Sequence, residues 1–210
     1  MYMNVSTVKG KIESLAKKLG TTGFFHVFGS SVINKIIAFA SSMVLVRILT
    51  KMEYGVYSYA DNIIKLFTLA SGLGVTSGVL QICSEVTDED ERSRLYAVGC
   101  RIGFYSNLIL AIVILIVAVF VPLPINGANK LLLVMCLIPF TALLSDLQRT
   151  YLRTQLRNKE FSYANTFNTV LTFVGACLLA WLFRTNGLVA AYYIAAVCTF
   201  FLIKIGRAHV

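Results

Sequence analysis

Three ionisable side chains stand inside long apolar stretches: Lys35 within Phe25–Leu49, and Asp61 and Lys65 within Val56–Ile82. Charge at bilayer depth is costly and turns toward protein or a water-filled cavity. Lys35 is in register with Ser31, Ala38 and Ser42, and Asp61 and Lys65 with Ser58, Thr68, Gly72 and Thr76. A third row, Ser162, Asn165, Thr169, Thr172 and Ala176, with Asn168 adjacent, runs through Tyr163–Phe183. Steps of three and four put each row on one helix face. Three such rows predict a shared hydrophilic cavity, with Lys35, Asp61, Lys65, Asn165, Asn168 and Thr172 as its candidate lining. Lysines supply point charges for phosphate, and amides and hydroxyls supply hydrogen bonds for sugar hydroxyls. Such a path suits an anionic, hydroxyl-rich solute. Structural readings stand beside it. Asp61 and Lys65 are spaced i,i+4 and neutralise each other on a helix, and an Asn/Thr row also joins helices to one another.

No reaction centre accompanies these rows. The chain has no HExxH, P-loop, nucleophile elbow or dinucleotide-binding glycine pattern, so neither an enzyme nor a cofactor is expected. Five cysteines are scattered without a CxxC pair, which indicates no zinc site and no disulfide framework. The acidic run Asp88–Glu91 lacks the spacing of a calcium loop and reads as a solvated turn, so no metal is expected.

The elements that must carry the polar rows are membrane helices. The 210 residues are 57% hydrophobic and only 14% charged, with a mean hydropathy of +0.75. This excludes a soluble globular domain, a disordered chain and a nucleic-acid binder. The predicted fold is all-α and polytopic, with six spans: Phe25–Leu49, Val56–Ile82, Ile102–Pro122, Leu131–Leu147, Tyr163–Phe183 and Gly187–Ile203. Pro139 is expected to kink the fourth. Gly74 and Gly78 form a GxxxG expected to pack against another helix.

Charge between the spans predicts orientation. One set of loops holds Lys9, Lys11, Lys17, Lys18, Arg92, Arg94, Arg149, Arg153, Arg157 and Lys159; the other holds Arg47, Lys51, Lys130 and Arg184. The richer set belongs in the cytoplasm, and the N-terminus with it. Tyr54, Tyr57, Tyr59 and Trp181 then fall near the outer interface as an aromatic belt.

Three segments are expected: a cytoplasmic amphipathic helix over 1–20 lying on membrane lipid, a six-span lobe over 21–203, and a tail over 204–210. The tail, Lys204 to Val210, can be encoded by AAG ATC GGA AGA GCA CAC GTC. That string looks like the start of a widely used sequencing-library adapter, so a non-native, adapter-derived tail and a truncated fragment are expected.

The stretch Arg47-Ile48-Leu49-Thr50-Lys51-Met52-Glu53-Tyr54-Gly55-Val56-Tyr57 resembles the first outer turn of the polysaccharide flippases. These form the O-antigen and capsule branch of the multidrug/oligosaccharidyl-lipid/polysaccharide exporter superfamily. Leu69-Ala70-Ser71-Gly72-Leu73-Gly74-Val75 is similar to the glycine-containing segment of their second helix. Leu152-Arg153-Thr154-Gln155-Leu156-Arg157-Asn158-Lys159 is similar to their basic loop after the fourth.

The resemblance implies an N-terminal half, one six-helix lobe of a transporter with 12 or more spans. It implies export of undecaprenyl-pyrophosphate-linked oligosaccharide from the cytoplasmic to the periplasmic leaflet of a bacterial inner membrane. Polysaccharide polymerase and glycosyltransferases of the same pathway would be its partners. Lys35 and Lys65 suit the family's cationic cavity without matching a fixed motif position. Two alternatives stay open. One is a multidrug or cation-coupled exporter of the same superfamily, for which Asp61 is the one well-placed carboxylate. The other is an integral-membrane enzyme of envelope assembly.

Overall fold

The computed structural model describes residues 24–69 and 74–208, with side chains from His26 to Ile203 within those bounds. The expected helix over 1–20 lies outside the described residues, as do Ala70 and Gly72 and the side chains of 204–210. The described residues form helices and no strand: α1 (Phe24–Ile48), α2 (Lys51–Leu69), α3 (Val75–Glu85), α4 (Glu89–Phe120), α5 (Ala128–Met135), α6 (Ile138–Thr154) and α7 (Asn158–Ala208). Four helical stretches are long and apolar enough to cross a membrane: His26–Ile48, Glu89–Phe120, Ala128–Thr154 and Asn158–Ile203. This is the make-up of a multi-pass membrane protein.

Packing follows the chemistry of lipid. Phe39, Ile109, Phe120 and Trp181 point outward, while Ala60, Ala118, Ala128, Ala176, Ala180 and Ala191 are buried. Hiding apolar surface from lipid tails gains little, so helices associate by close approach over small residues.

Helix α7 is a hairpin. Arg184 has φ 56° and ψ −135° and divides it into legs 158–183 and 185–208. Thr199 Oγ1 donates to Asn168 Oδ1 at 3.0 Å. A continuous helix would hold those residues about 46 Å apart. Nearer the tip, a Cβ on Gly175 would touch Ala191, and one on Gly187 would strike the Leu179 carbonyl. All these pairs share one antiparallel register.

Two expected spans are broken, for local reasons. Pro139 lacks an N–H and sits in the first turn of α6, so the fourth span divides into α5 and α6. The Val134 carbonyl at the end of α5 accepts from Tyr193 Oη at 2.7 Å. The second span divides at Gly74, whose φ of +78° suits glycine. Among the described residues the packing expected of Gly74 and Gly78 is not found: Gly74 is the left-handed N-cap of α3, and a Cβ on Gly78 would meet nothing within 4 Å. The close approach falls instead on a second GxxxG, Gly99 and Gly103 of α4, which face Val79 and the Leu143–Leu147 pair.

The ends of α4 are also specified. The acidic run expected as a solvated turn is its N-terminus: Asp88 caps, accepting from the Glu91 N–H at 3.3 Å. Glu89, Asp90 and Glu91 then occupy the first turn, where the helix dipole favours acids. At the other end Asn129 Nδ2 donates to the Ala118 and Val121 carbonyls at 2.9 and 2.8 Å.

Candidate functional site

A cleft of about 280 Å³ opens between α1 and the α7 hairpin. Ile37, Ala38 and Ser41 line it from α1, Asn168, Thr169, Thr172 and Phe173 from the first leg, and Tyr192 from the second. The helices pre-set its hydrogen-bonding character. Thr169 and Thr172 spend their hydroxyl protons on the Asn165 and Asn168 carbonyls, at 3.0 and 2.7 Å. Their oxygen lone pairs stay available as acceptors. Thr199 occupies Asn168 Oδ1, which leaves the Asn168 N–H groups as donors. Donors and acceptors side by side suit hydroxyl groups, which do both.

Asn34 belongs to the same face. It precedes Ile37, Ala38 and Ser41 by three, four and seven residues, the spacing of one helical stripe. Its amide oxygen and nitrogen are both buried without a partner among the described residues. The sequence reading missed it, because that reading follows the adjacent row through Ser31, Lys35, Ala38 and Ser42, of which only Ala38 lines the cleft. Helix α1 carries polar residues on two adjacent rows, and only the position of α7 selects between them.

Tyrosines connect this cleft to α2. The hydroxyls of Tyr57 and Tyr192 lie 3.1 Å apart. Tyr57, expected among the interfacial aromatics, is instead buried. Asp61 follows Tyr57 by one turn and acts electrostatically on both tyrosines. Asp61 also pairs with Lys65 at 2.5 Å, and Lys65 keeps 69% of its side chain exposed.

The six sequence-predicted residues therefore separate. Asn168 and Thr172 line the cleft, and Asp61 and Lys65 stand beside its tyrosine pair. Asn165 lies one turn below and accepts from Arg149 Nη1 at 3.1 Å. Arg149 is itself held by Asp146 at 2.5 Å. Lys35 lies on a different, exposed face of α1, in a shallow groove with Ser31, Val32, Ile36 and Phe39. Among the described residues, no three His, Cys, Asp or Glu side chains are placed to hold a metal ion.

The end of the bundle beyond Tyr57 is held by a polar knot. Thr50 and Glu53 form a reciprocal capping box at the start of α2: the Thr50 N–H donates to Glu53 Oε2 at 2.8 Å and the Glu53 N–H to Thr50 Oγ1 at 3.3 Å. Arg184, at the hairpin tip, donates to the Ile48 carbonyl at 3.0 Å and stands 3.9 Å from Glu53. The Thr50 N–H, then its hydroxyl, hold the Glu53 carboxyl below its ordinary value, and Arg184 adds to them.

A family described as polysaccharide biosynthesis protein matches residues 44–205. No curated protein and no solved structure matches the chain.

Proposed function

The chain belongs to the polysaccharide biosynthesis protein family, and from that premise we propose that it is one lobe of a lipid-linked oligosaccharide flippase. Its cargo is undecaprenyl-pyrophosphate-linked oligosaccharide, moved from the cytoplasmic to the periplasmic leaflet of a bacterial inner membrane. In this reading α1, α2 with α3, α4, α5 with α6, and the two legs of α7 make six crossings. The N-terminus is cytoplasmic, by the excess of basic residues on that side. Transport rather than catalysis is the activity. Glycosyltransferases and a polymerase of the same pathway act before and after it.

The observation that supports this reading is the cleft between α1 and α7, lined by amide and hydroxyl groups rather than by carboxylates. Asp61, the carboxylate that a cation-coupled exporter would use, is neutralised by Lys65, which favours the glycan reading. Helix α1 packs mainly on the hairpin, and its opposite face, with Lys35, is exposed. A second lobe closing over that face would bring Lys35 and the exposed ammonium of Lys65 to a shared central cavity.

The test is Lys35→Ala with Lys65→Ala in the full-length gene. Surface polysaccharide should fall while the protein level holds. Unchanged export at equal expression would falsify the cavity role.

A further inference from the structure

A second cavity, about 370 Å³, lies at the end of the bundle where α1 turns into α2. Three separate segments wall it: Thr50 and Glu53 at the α1–α2 turn, Lys130 in the first turn of α5, and Thr185 and Asn186 at the hairpin tip. It is many times the volume of a water molecule, about 30 Å³. Its polar groups fall into two kinds. Glu53 Oε2 accepts from the Thr50 N–H and hydroxyl, and Arg184 Nε stands 3.9 Å from its Oε1. The Lys130 ammonium, the Thr185 hydroxyl and the Asn186 amide have no hydrogen-bond or ion-pair partner among the described residues. All three can donate, and the one carboxylate in the lining, Glu53, is offset by the Arg184 guanidinium. The surrounding turns carry Arg47, Lys51, Lys130 and Arg184 against the single acid Glu53.

We propose that this rim cavity binds a phosphate group, with Lys130 as its charge partner and Thr185 and Asn186 as its hydrogen-bond donors. An ammonium is a compact point charge that suits phosphate, and charge-assisted hydrogen bonds are the strong ones. The site is separate from the cleft lined by Asn168 and does not depend on the transport reading. Two sources supply the same chemistry: a soluble phosphate and the headgroup of an anionic phospholipid.

The full chain, purified in uncharged detergent, is titrated with inorganic phosphate, and binding is followed by broadening of the phosphorus resonance. In parallel, phosphatidylcholine nanodiscs doped with phosphatidylglycerol are analysed by native mass spectrometry for retained anionic lipid. Lys130→Ala should weaken binding about tenfold, the loss of one charge-assisted contact. Asn186→Ala should weaken it less, and Lys51→Ala, whose residue does not line the cavity, should leave it unchanged. Loss of phosphate broadening in Lys130→Ala identifies a soluble phosphate. Loss of retained phosphatidylglycerol alone identifies a lipid headgroup. Equal binding by wild type and Lys130→Ala in both arms, or equal weakening by Lys51→Ala, overturns the site. Lys130→Arg, which keeps the charge, serves as the folding control and should retain most binding.

Discussion

Asn168 on the first leg of α7 and Thr199 on the second are joined by a 3.0 Å hydrogen bond that crosses the hairpin. One side chain thus closes the hairpin and presents its remaining N–H groups to the cleft. Thr199 is fully buried, so Thr199→Val removes a donor without opening space. The expected cost is about 0.5–1.5 kcal/mol, the range for a polar contact between membrane helices. Thermal unfolding in detergent measures it. On the proposed transport reading, the same change in the full-length gene should lower export beyond its effect on protein level, because Asn168 loses its orientation. Normal export by a destabilised Thr199→Val protein would separate the hairpin bond from the cleft.

Close packing makes a contrast between glycines. A Cβ on Gly103 would press on Leu143 and Leu147, and one on Gly99 on Val79, whereas one on Gly78 would meet nothing within 4 Å among the described residues. Gly103→Leu should therefore destabilise the bundle by about 1–3 kcal/mol through overpacking. Gly78→Ala, at an unstrained helical position, should be neutral or raise stability by up to about 1 kcal/mol. Melting temperatures of the two variants should move in opposite directions or differ clearly. Equal losses would mean that Gly78 packs on something and that the α3–α4 contact is misplaced.

How much of this was legible depended on what each signal measures. Long apolar runs and Pro139 gave the helices and the break between α5 and α6, because length and a missing N–H act locally. The Asn168–Thr172 row was legible by periodicity. Periodicity does not reveal which face of α1 meets α7: it picks out the row through Lys35 and Ser42, whereas Asn34 and Ser41 are selected only by the packing of the hairpin. Both GxxxG pairs have the same spacing, and only the placement of Val79 and Leu143 shows that Gly99 and Gly103 are the packed pair. The Tyr57–Tyr192 contact joins residues 135 positions apart, and no local pattern encodes it. Thr50-Lys51-Met52-Glu53 was legible as part of a resemblance; its physical content is the capping box.

Acid should loosen the rim. The Glu53 carboxyl is held below its ordinary value of 4.5 by the Thr50 N–H and then the Thr50 hydroxyl, which outweigh the opposing effect of burial, with a smaller contribution from Arg184. A depressed folded value means the ionised form stabilises the fold. That contribution is complete above the ordinary value and is lost as pH falls through the folded one. Wild type should therefore lose more stability than Glu53→Gln between neutral pH and about pH 3.5. Glu53→Gln should start lower at neutral pH and show a flatter profile. Parallel profiles of detergent melting temperature against pH would discard Glu53 as the titrating group.

The orientation proposed from loop charge has a direct test at the ends of α4. That helix has 32 residues, about 48 Å at 1.5 Å per residue, against about 30 Å of hydrocarbon. That is long enough to cross, which would place its two flanks on opposite faces of the membrane. Thr87 and Asn126 are exposed just outside it. They are better cysteine sites than Asp88, which caps the helix, or Gly127, whose φ of +90° would strain any other residue. In a background with the five native cysteines replaced, an impermeant maleimide should label Asn126→Cys in spheroplasts of intact cells. Thr87→Cys should react only after permeabilisation. The reverse pattern would invert the topology and move the basic loops to the periplasm. Labelling of both sites from one side would mean that α4 does not cross the membrane.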